Sequence, residues 1–437
     1  MINKTLPQWL NFISSTHPSE IEMGLDRVKT VFNSLNINSA PAKVVLVAGT
    51  NGKGSTVAMM EASLLTLGYR VGAYTSPHIL SYNERVRING EDVSDSMLIK
   101  AFERVEHSRQ SVPLTYFEYG TLAAFDILFT KELDVILLEI GLGGRLDAVN
   151  IVEPDISIIT SVGIDHSDWL GSTIEEIGIE KAGILRKNSL FIAGENMPNA
   201  VLEIAKSLSC STMVCRKDFD VKSNQASKDV CMEIASTSRS FHGFPLVLFP
   251  ENNVLISIQA VASLLSLLNQ KKDIDQQVYE NIINSINSVK VPGRLEKLIH
   301  QKVHDVYLDV GHNPHAAEFL KSFLLENLQQ SKKIQIVYSS LIDKDVLGVL
   351  AILSPLVERC VLAPLVTERA MPLDGLIDNA VKSGMKNMLS FASLDEAISD
   401  AIFFSSESEN KNEPVLTLIF GSFYIVEAAK RFFETYD

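Results

Sequence analysis

Cysteine is scarce in this chain of 437 residues, which contains four in total. They stand at positions 210, 215, 231 and 360 and form no C-x-x-C pair. No histidines accompany them at the spacing of a zinc site, so neither a disulfide framework nor a structural zinc organises the fold. We therefore expect reduced thiols in a cytoplasmic protein.

Positive charge and long apolar runs are also in short supply. Lysine and arginine number 39 against 53 acidic residues, a formal net charge of −14, which disfavours nucleic acid and anionic membranes as partners. The longest apolar segment, 254–268, is interrupted by serines and a glutamine and is shorter than the ~18–20 residues that span a bilayer. We expect a buried helix there, no membrane span and no signal peptide.

The chain is too long for one ordinary core, so two or three domains are expected. Through the first two thirds, short β-branched runs alternate with amphipathic stretches, which predicts an α/β fold with a mostly parallel sheet covered by helices. The predicted strands are 44–48, 71–74, 135–140, 156–161 and 190–193. Residues 210–249 lose this rhythm and are predicted to form an antiparallel elaboration at one edge of the sheet.

A proline and a glycine at positions 292 and 293 mark a break in the pattern. They predict a linker over 291–296 between a first domain, 1–290, and a second, 297–437. A new alternation follows the break, with predicted strands at 303–310, 334–338, 360–363 and 415–420. The second domain is large enough to hold a core of its own.

A glycine-rich stretch, G-T-N-G-K-G-S-T at residues 49–56, follows the first predicted strand and opens an amphipathic segment. Such a loop turns its backbone N–H groups inward at a helix N-terminus, and Lys53 can reach the outer phosphates of a nucleotide. Gly54 separates Lys53 from Ser55, which departs from the common G-x-x-x-x-G-K-[ST] form. A purely structural strand-to-helix turn is the alternative.

Polar residues follow the other early strands as well. Ligands of open α/β sheets collect beyond the carboxyl ends of the strands, where we expect Ser55, Ser76, Glu139 and His166 to meet around a divalent cation. Magnesium prefers oxygen ligands, so a histidine there is unusual, and a hydrogen-bonded structural role for His166 is the alternative.

Three further features allow more than one interpretation. Lys181 lies in a predicted helix over 173–185, where a solvated lysine is the simplest role. The G-L-G-G stretch at 141–144 could suggest dinucleotide binding, but it matches that motif weakly, because G-x-G-x-x-G requires glycine where Leu146 stands. Tyr116 and Phe117 could stack on a flat ring, although most buried aromatic residues are core.

The variant phosphate loop is the form carried by the Mur ligase superfamily, and later blocks resemble its folate branch, the bifunctional folylpolyglutamate synthase/dihydrofolate synthase family. The blocks are M-G-L-D-R at 23–27, T-S-P-H at 75–78, T-Y-F-E-Y-G-T at 115–121, E-I-G-L-G-G-R-L-D-A at 139–148, D-H-S-D-W-L-G at 165–171, E-K-A-G-I at 180–184, P-G-R at 292–294 and D-V-G-H-N-P-H at 309–315. The resemblance therefore covers nearly the whole chain.

The resemblance implies a P-loop Mur-ligase-type central domain, binding ATP and the pterin substrate, and a smaller Rossmann-like α/β C-terminal glutamate-ligase domain. It implies an ATP-dependent ligation of L-glutamate to dihydropteroate, forming dihydrofolate, and to reduced folates, forming polyglutamates, through an acyl phosphate. The alternative within the family is a monofunctional folylpolyglutamate synthase without the dihydropteroate step. From another class, a nucleotide-hydrolysing switch would use the same first loop without needing glutamate.

The family also implies roles for individual residues. The implied ATP contacts are Thr50, Asn51, Gly52, Lys53, Gly54, Ser55, Asn253, Arg294 and Asp309. The implied metal ligands are Ser76, Glu139 and His166, and the implied catalytic residues are Lys53, Lys181 and His166. Asn252 beside Asn253 leaves the register of that contact open.

The implied pterin contacts lie in three segments, and the implied glutamate contacts are two separate residues. Those for the pterin substrate are Glu22, Met23, Gly24, Leu25, Thr115, Tyr116, Phe117, Glu118, Leu146, Asp147 and Ala148, and those for glutamate are His312 and Ser422. We expect ATP and Mg²⁺ as cofactors, with a monovalent cation as a further candidate and Lys181 as a candidate for N-carboxylation. Partners are expected to be small molecules, and the protein a cytoplasmic monomer.

Overall fold

The computed structural model describes residues 4–17, 22–37, 42–223, 228–234, 237–245, 248–268, 274–299, 305–328, 332–410 and 413–436. The chain divides into two compact units, Met1–Val289 and Lys290–Asp437. Residues 291–296, predicted as a linker, are counted with the second unit. Each unit is described separately.

A twisted sheet forms the centre of the first unit. Its strands are β1 (Lys43–Ala48), β2 (Val71–Tyr74), β3 (Val86–Ile88), β4 (Glu91–Asp92), β5 (Val135–Glu139), β6 (Ile156–Ile159), β7 (Leu190–Ala193) and β8 (Ser211–Val214). They lie in the order β4-β3-β2-β5-β1-β6-β7-β8. The six strands β2-β5-β1-β6-β7-β8 run parallel to one another. Strands β3 and β4 extend the sheet beyond β2 in antiparallel pairing. The five strands predicted for this region are confirmed.

Helices cover both faces of this sheet. They are α1 (Leu6–Ser14), α2 (Asp26–Ser34), α3 (Lys53–Thr66), α4 (Asp95–Arg109), α5 (Tyr116–Leu128), α6 (Ser167–Leu170), α7 (Ile174–Ala182), α8 (Asn199–Ser207), α9 (Glu251–Leu268) and α10 (Gln276–Ser288). Two core clusters result, because Leu46 of β1 faces one layer of helices while Val45 and Val47 face the other. Strands buried on both faces explain the consecutive apolar residues in the sequence.

Helix α9 is long and apolar enough to cross a membrane by length and composition, but 72% of it is buried inside the unit. It packs on α3, which also packs on α10, in the second of the two cores. The predicted buried helix at 254–268 is therefore confirmed.

The region 210–249 differs in part from its prediction. Strand β8 extends the main sheet in parallel with β7, pairing Ser211 with Leu190, so the expectation of purely antiparallel structure is wrong there. The next three strands, β9 (Asp220–Ser223), β10 (Lys228–Ile234) and β11 (Thr237–His242), do form an antiparallel sheet of their own.

The second unit is a smaller α/β structure built around a six-stranded sheet. Its strands are β12 (Glu296–Lys297), β13 (Val306–Asp309), β14 (Lys333–Tyr338), β15 (Arg359–Leu362), β16 (Met388–Ser390) and β17 (Val415–Phe420), in the order β12-β13-β17-β14-β15-β16. Its helices are α11 (Pro314–Leu328), α12 (Val346–Leu353), α13 (Leu373–Lys382), α14 (Leu394–Asn410) and α15 (Phe423–Thr435). Only β12 is antiparallel within the described part of this sheet. The start of the predicted strand 303–310 falls outside the described residues.

Candidate functional site

The glycine-rich loop joins β1 to α3 and has a backbone that only glycine adopts readily at two positions. Gly49 has a φ of 152° and Gly52 a φ of 85°. A Cβ atom on Gly49 would lie 2.0 Å from the Oγ1 of Thr160, and one on Gly52 would lie 2.5 Å from the amide atoms of Asn253. Both the turn and the close packing therefore require glycine at these positions.

Side chains and backbone beyond β6 hold this loop in place. The Thr50 hydroxyl donates to the Gly163 carbonyl at 3.1 Å and accepts from the Gly163 N–H at 3.0 Å. The Asn51 N–H donates to the Ser161 hydroxyl at 3.0 Å, and the Thr160 hydroxyl donates to the Asn51 carbonyl at 2.6 Å. The loop is thus pre-shaped, which lowers the cost of binding a ligand there.

The loop presents a cation and helix N–H groups on the same side. The Lys53 ammonium donates to the Gly49 carbonyl at 2.9 Å and approaches the Thr50 carbonyl at 3.4 Å, so its side chain folds back over the loop. Gly54 and Ser55 lie in the first turn of α3, where an α-helix offers no carbonyl to their N–H groups. Together these groups suit the phosphates of a nucleotide.

Asn253, rather than its neighbour Asn252, faces the loop. The Asn253 amide lies beside Gly52, as the packing at that glycine shows. Asn252 turns elsewhere: its amide nitrogen donates to Glu195 at 2.7 Å and its oxygen accepts from Arg216 at 3.1 Å. Of the two asparagines, Asn253 is therefore the one whose side chain lies beside the loop.

Glu139 ends β5 and lies next to the first turn of α3. Its carboxylate is buried, accepts the Ser76 N–H at 3.1 Å, and would lie 3.6 Å from a Cβ on Gly54. A carboxylate in this position would repel phosphate groups unless a cation lay between them. The donor set therefore fits a divalent cation shared with phosphates.

The described residues contain no group of three or more His, Cys, Asp or Glu side chains arranged to hold a metal. This does not argue against Mg²⁺, which proteins usually bind through one or two carboxylates together with phosphates and water. His166 directly precedes α6 and has a left-handed conformation, with its N–H donating to Asp165 at 2.9 Å. Metal binding by His166 stays a prediction.

Lys181 lies on α7 with its side chain almost completely buried. Burial, and secondarily the charge of Lys53, lowers the pKa of Lys181 to about 7, against the opposing effects of Asp165 and Asp147. The solvated lysine considered from the sequence is therefore wrong. The amine is partly neutral near pH 7 and lies within the electrostatic field of the phosphate loop.

Asp147 organises the loop that follows β5. Its two carboxylate oxygens accept the N–H groups of Leu142 at 2.8 Å and Val149 at 2.9 Å. Burial raises the pKa of Asp147 to about 6, although these bonds and the Lys53 charge oppose the shift. Leu146 beside it is half-buried and Ala148 is buried.

Two distant segments meet over the loop at 141–148. A Cβ on Gly141 would lie 2.5 Å from the tip of the Phe117 ring, and one on Gly143 would lie 3.9 Å from the Cε of Met23. Phe117 also stacks on Tyr74, with ring centroids 6.3 Å apart. The structure thus brings together three of the segments predicted to contact a pterin substrate.

An ion-pair network fixes the segment at 22–27 to α5. Thr115 caps the helix by accepting the Glu118 N–H at 3.2 Å, and Glu118 accepts the Thr115 N–H at 2.8 Å. Arg27 donates to Glu118 at 2.9 Å and to the backbone carbonyl of Glu22 at 3.0 Å. Arg27 was not among the predicted site residues, although it ends the M-G-L-D-R block.

Tyr116 faces a second arginine that the sequence did not identify. The Arg85 guanidinium lies 5.7 Å from the Tyr116 ring centroid and 5.1 Å from that of Tyr82. Its Nε donates to the Nδ1 of His78 at 2.8 Å. Burial, followed by the Arg85 charge, lowers the pKa of His78 to about 4, so this histidine is a neutral acceptor.

In the second unit, Asp309 stands at the carboxyl end of β13. It accepts the N–H groups of Leu295 at 2.8 Å and Gly311 at 2.6 Å. Burial raises the pKa of Asp309, and the charge of Arg294 opposes this shift. The Arg294 guanidinium lies 5.3 Å from the ring centroid of Phe423.

His312 and Ser422 lie near the same edge of this sheet. The register pairs Asp309 of β13 with Phe420 of β17, so the turns that follow the two strands are neighbours. The His312 Nδ1 lies 2.8 Å from the Val310 carbonyl oxygen. Ser422 caps α15 by accepting the Ile425 N–H at 3.2 Å.

Comparison with known proteins gives a consistent result. Residues 47–264 match the Mur ligase middle domain. The chain is 36% identical over 436 residues to the dihydrofolate synthase/folylpolyglutamate synthase of Escherichia coli, covering 98% of this chain and 96% of the relative.

Solved structures agree with this match. The structure of E. coli FolC in complex with DHPP and ADP is similar with a TM-score of 0.86 and 34% identity, over 98% of this chain and 97% of that one. The Yersinia pestis bifunctional folylpolyglutamate synthase/dihydrofolate synthase complexed with AMPPNP and Mn ion has a TM-score of 0.85 and 34% identity, over 98% of both chains. The predicted fold class is therefore confirmed, and the chain belongs to the dihydrofolate synthase/folylpolyglutamate synthase family of Mur ligases.

Proposed function

We propose that this chain uses ATP to join L-glutamate to dihydropteroate, forming dihydrofolate, and to reduced folates, forming polyglutamates. The observation that carries the proposal is the position of the phosphate loop next to the loop at 141–148. The charge of Lys53 acts on both Asp147 and Lys181, so the two loops share one electrostatic environment. A phosphoryl group can pass to an acceptor only where nucleotide and acceptor sites adjoin.

In the first step, a carboxylate oxygen of the pterin substrate attacks the γ-phosphorus of ATP. An O–P bond forms and the bond to ADP breaks, giving an acyl phosphate. Lys53 and the N–H groups at the start of α3 would stabilise the charge on the transferring group. Ser76, Glu139 and His166 would hold a divalent cation, whose charge would offset that of the phosphate oxygens.

In the second step, the amino nitrogen of L-glutamate attacks the acyl carbon, forming the amide as phosphate leaves. We assign contacts with the incoming glutamate to His312 and Ser422 in the second unit. Arg294 and Asp309 are proposed as nucleotide contacts there, because a guanidinium has forked donors suited to phosphate. Asn253 is proposed as a nucleotide contact in the first unit because its amide faces Gly52.

The pterin substrate is proposed to lie against Phe117 and the loop at 141–148, with Met23 on its other side. The flat ring of a pterin suits an aromatic wall, and buried backbone N–H and carboxylate groups suit its polar edge. The remaining contacts proposed from the resemblance are Glu22, Gly24, Leu25, Thr115, Tyr116, Glu118, Leu146, Asp147 and Ala148.

Lys181 is proposed to be N-carboxylated. A neutral amine can add to CO₂, forming a C–N bond and releasing a proton, and the low pKa of Lys181 supplies the neutral amine. The product would carry a carboxylate where the free lysine carries a cation, next to the phosphate loop. Such a group would support the proposed cation site.

The protein is proposed to act as a cytoplasmic monomer on small molecules, without nucleic acid or membrane. Its acidic composition supports this, since a net charge of −14 disfavours polyanionic partners. A monovalent cation remains a further candidate cofactor besides ATP and Mg²⁺.

The test is phosphate release by the purified protein with Mg-ATP and L-glutamate, supplied with dihydropteroate, tetrahydrofolate or no acceptor. Product masses are read in parallel. Turnover with both acceptors, each gaining glutamyl units, is expected. Turnover with tetrahydrofolate alone would select the monofunctional alternative, and hydrolysis without any acceptor would indicate a generic nucleotide hydrolase.

A further inference from the structure

Arg85 is a buried cation without an acidic partner. Only 8% of the residue is exposed, and none of the described aspartates and glutamates forms an ion pair with it. Arg87, two residues further along the chain, shows the usual arrangement, since it binds the buried Glu61 at 2.8 Å. Because buried charges are normally paired, an unpaired guanidinium marks a place where an anion can be bound.

The groups around Arg85 stabilise the cation without neutralising it. Its Nε donates to a neutral His78, and its plane lies close to the rings of Tyr82 and Tyr116. The Arg85 charge favours ionisation of Tyr74, but burial outweighs this effect and raises the pKa of Tyr74 to about 12, so its hydroxyl stays neutral. An arginine side chain has five N–H donors; here the Nε donor is used by His78, and the Tyr74 hydroxyl is a second hydrogen-bond partner.

The Arg85 guanidinium lies beside the proposed pterin wall, and its backbone is bonded to the segment that leads to Ser76. Tyr116 is a proposed pterin contact, and Tyr74 stacks on Phe117, which covers the loop at 141–148. The backbone carbonyl of Arg85 accepts the Thr75 N–H at 2.9 Å, and the next residue, Ser76, is bonded to Glu139 beside α3.

We propose that Arg85 binds the carboxylate of the pterin substrate and positions it for attack on ATP. The proposal rests on the proposed function, because that function supplies a substrate with a pterin ring at one end and a carboxylate at the other. A forked guanidinium suits a carboxylate, and Arg85 lies beside the proposed pterin wall in a segment bonded next to Ser76.

The test compares binding of pteroate with binding of its carboxamide, in which the charge is absent but the ring and shape are kept. Binding is measured by calorimetry without ATP, Mg²⁺ or glutamate. The wild type is expected to prefer the acid. Arg85→Gln is expected to weaken acid binding by ~10- to 100-fold, the scale of a lost charged hydrogen bond, while amide binding changes little.

Two variants and one measurement keep the result interpretable. Arg85→Lys keeps the charge and is expected to restore part of the preference, and Arg70→Gln, an exposed arginine paired with Asp134, is expected to change nothing. Equal losses of acid and amide in Arg85→Gln, or no acid preference in the wild type, would overturn the proposal. Failure of the wild type to turn over either pterin acceptor would instead overturn the proposed function, so the two failures are distinguishable.

Discussion

Replacing Lys181 with methionine should change how the stability of the first unit depends on pH. The pKa of Lys181 falls from 10.5 to about 7 in the folded protein, chiefly because the ammonium is buried. At 1.36 kcal/mol per pKa unit, folding disfavours the charged form by about 5 kcal/mol. Methionine has a similar length and no charge, so Lys181→Met removes this term while keeping most of the packing.

The sign follows from the protons bound in each state. Between pH 7 and 10.5 the unfolded chain holds a proton on Lys181 and the folded chain does not, so wild-type stability gains from rising pH in this window. Lys181→Met lacks this gain. Its free energy of unfolding, relative to the wild type, should therefore fall by about 2–3 kcal/mol between pH 7.5 and 9.5.

Urea unfolding in CO₂-free buffer, followed by tryptophan fluorescence, measures this difference. The two tryptophans, Trp9 and Trp169, both lie in the first unit, so the signal reports on the unit that contains Lys181. Lys187→Met removes an exposed lysine nearby and serves as the control. Parallel pH profiles for wild type and Lys181→Met would refute the reasoning.

Adding bicarbonate to the same experiment tests N-carboxylation. If CO₂ adds to the Lys181 amine in the folded state alone, bicarbonate should stabilise the wild type and leave Lys181→Met unchanged. The same increase in both proteins would show that bicarbonate acts elsewhere.

Three further substitutions test single contacts. Lys53→Ala should lower turnover by ~10²–10³-fold in the phosphate-release assay without changing the thermal midpoint, because it removes charge stabilisation and no core packing; unchanged turnover would contradict its role. Gly52→Ala should destabilise the first unit by ~2–4 kcal/mol in urea, from a left-handed backbone and a clash with Asn253, and Asn253→Ala should recover only the clash. Arg27→Met removes the cationic partner of the buried Glu118, so the KM for pterin acceptors should rise while the KM for ATP stays constant. An equal rise in both KM values would point to general disruption.

The central strands could be predicted from the sequence because burial on both faces gives them apolar residues at consecutive positions. Strands such as β4 and β12 are two residues long and sit at sheet edges, so they carry no pattern of their own. Strand β8 was also misread, because its residues are only partly buried. Pairing with neighbours, which no local window contains, defines these strands.

The candidate site likewise contains residues that the local sequence predicts and residues that only the folded structure identifies. Gly49, Gly52 and Lys53 are visible locally because a phosphate loop needs those residue types at fixed spacing. The burial of Lys181 and the partners of Arg85 depend on contacts made in the folded chain. Arg27 meets Glu118 across 91 residues of sequence, and no spacing rule connects the two.

The hydrogen bonds between the phosphate loop and the segment after β6 have a consequence for synthesis of the chain. Thr50 and Asn51 bond to groups 113 and 110 residues later, and β1 pairs with β5 and β6, which also follow far behind. At a ribosomal rate of ~5–20 residues per second, β1 waits roughly 5–20 seconds for these partners. During that time its apolar side chains and unpaired backbone edges are open to chaperones or to other chains. The capacity to hold a nucleotide therefore arises late, and its appearance on a nascent chain would mark completion of the central sheet.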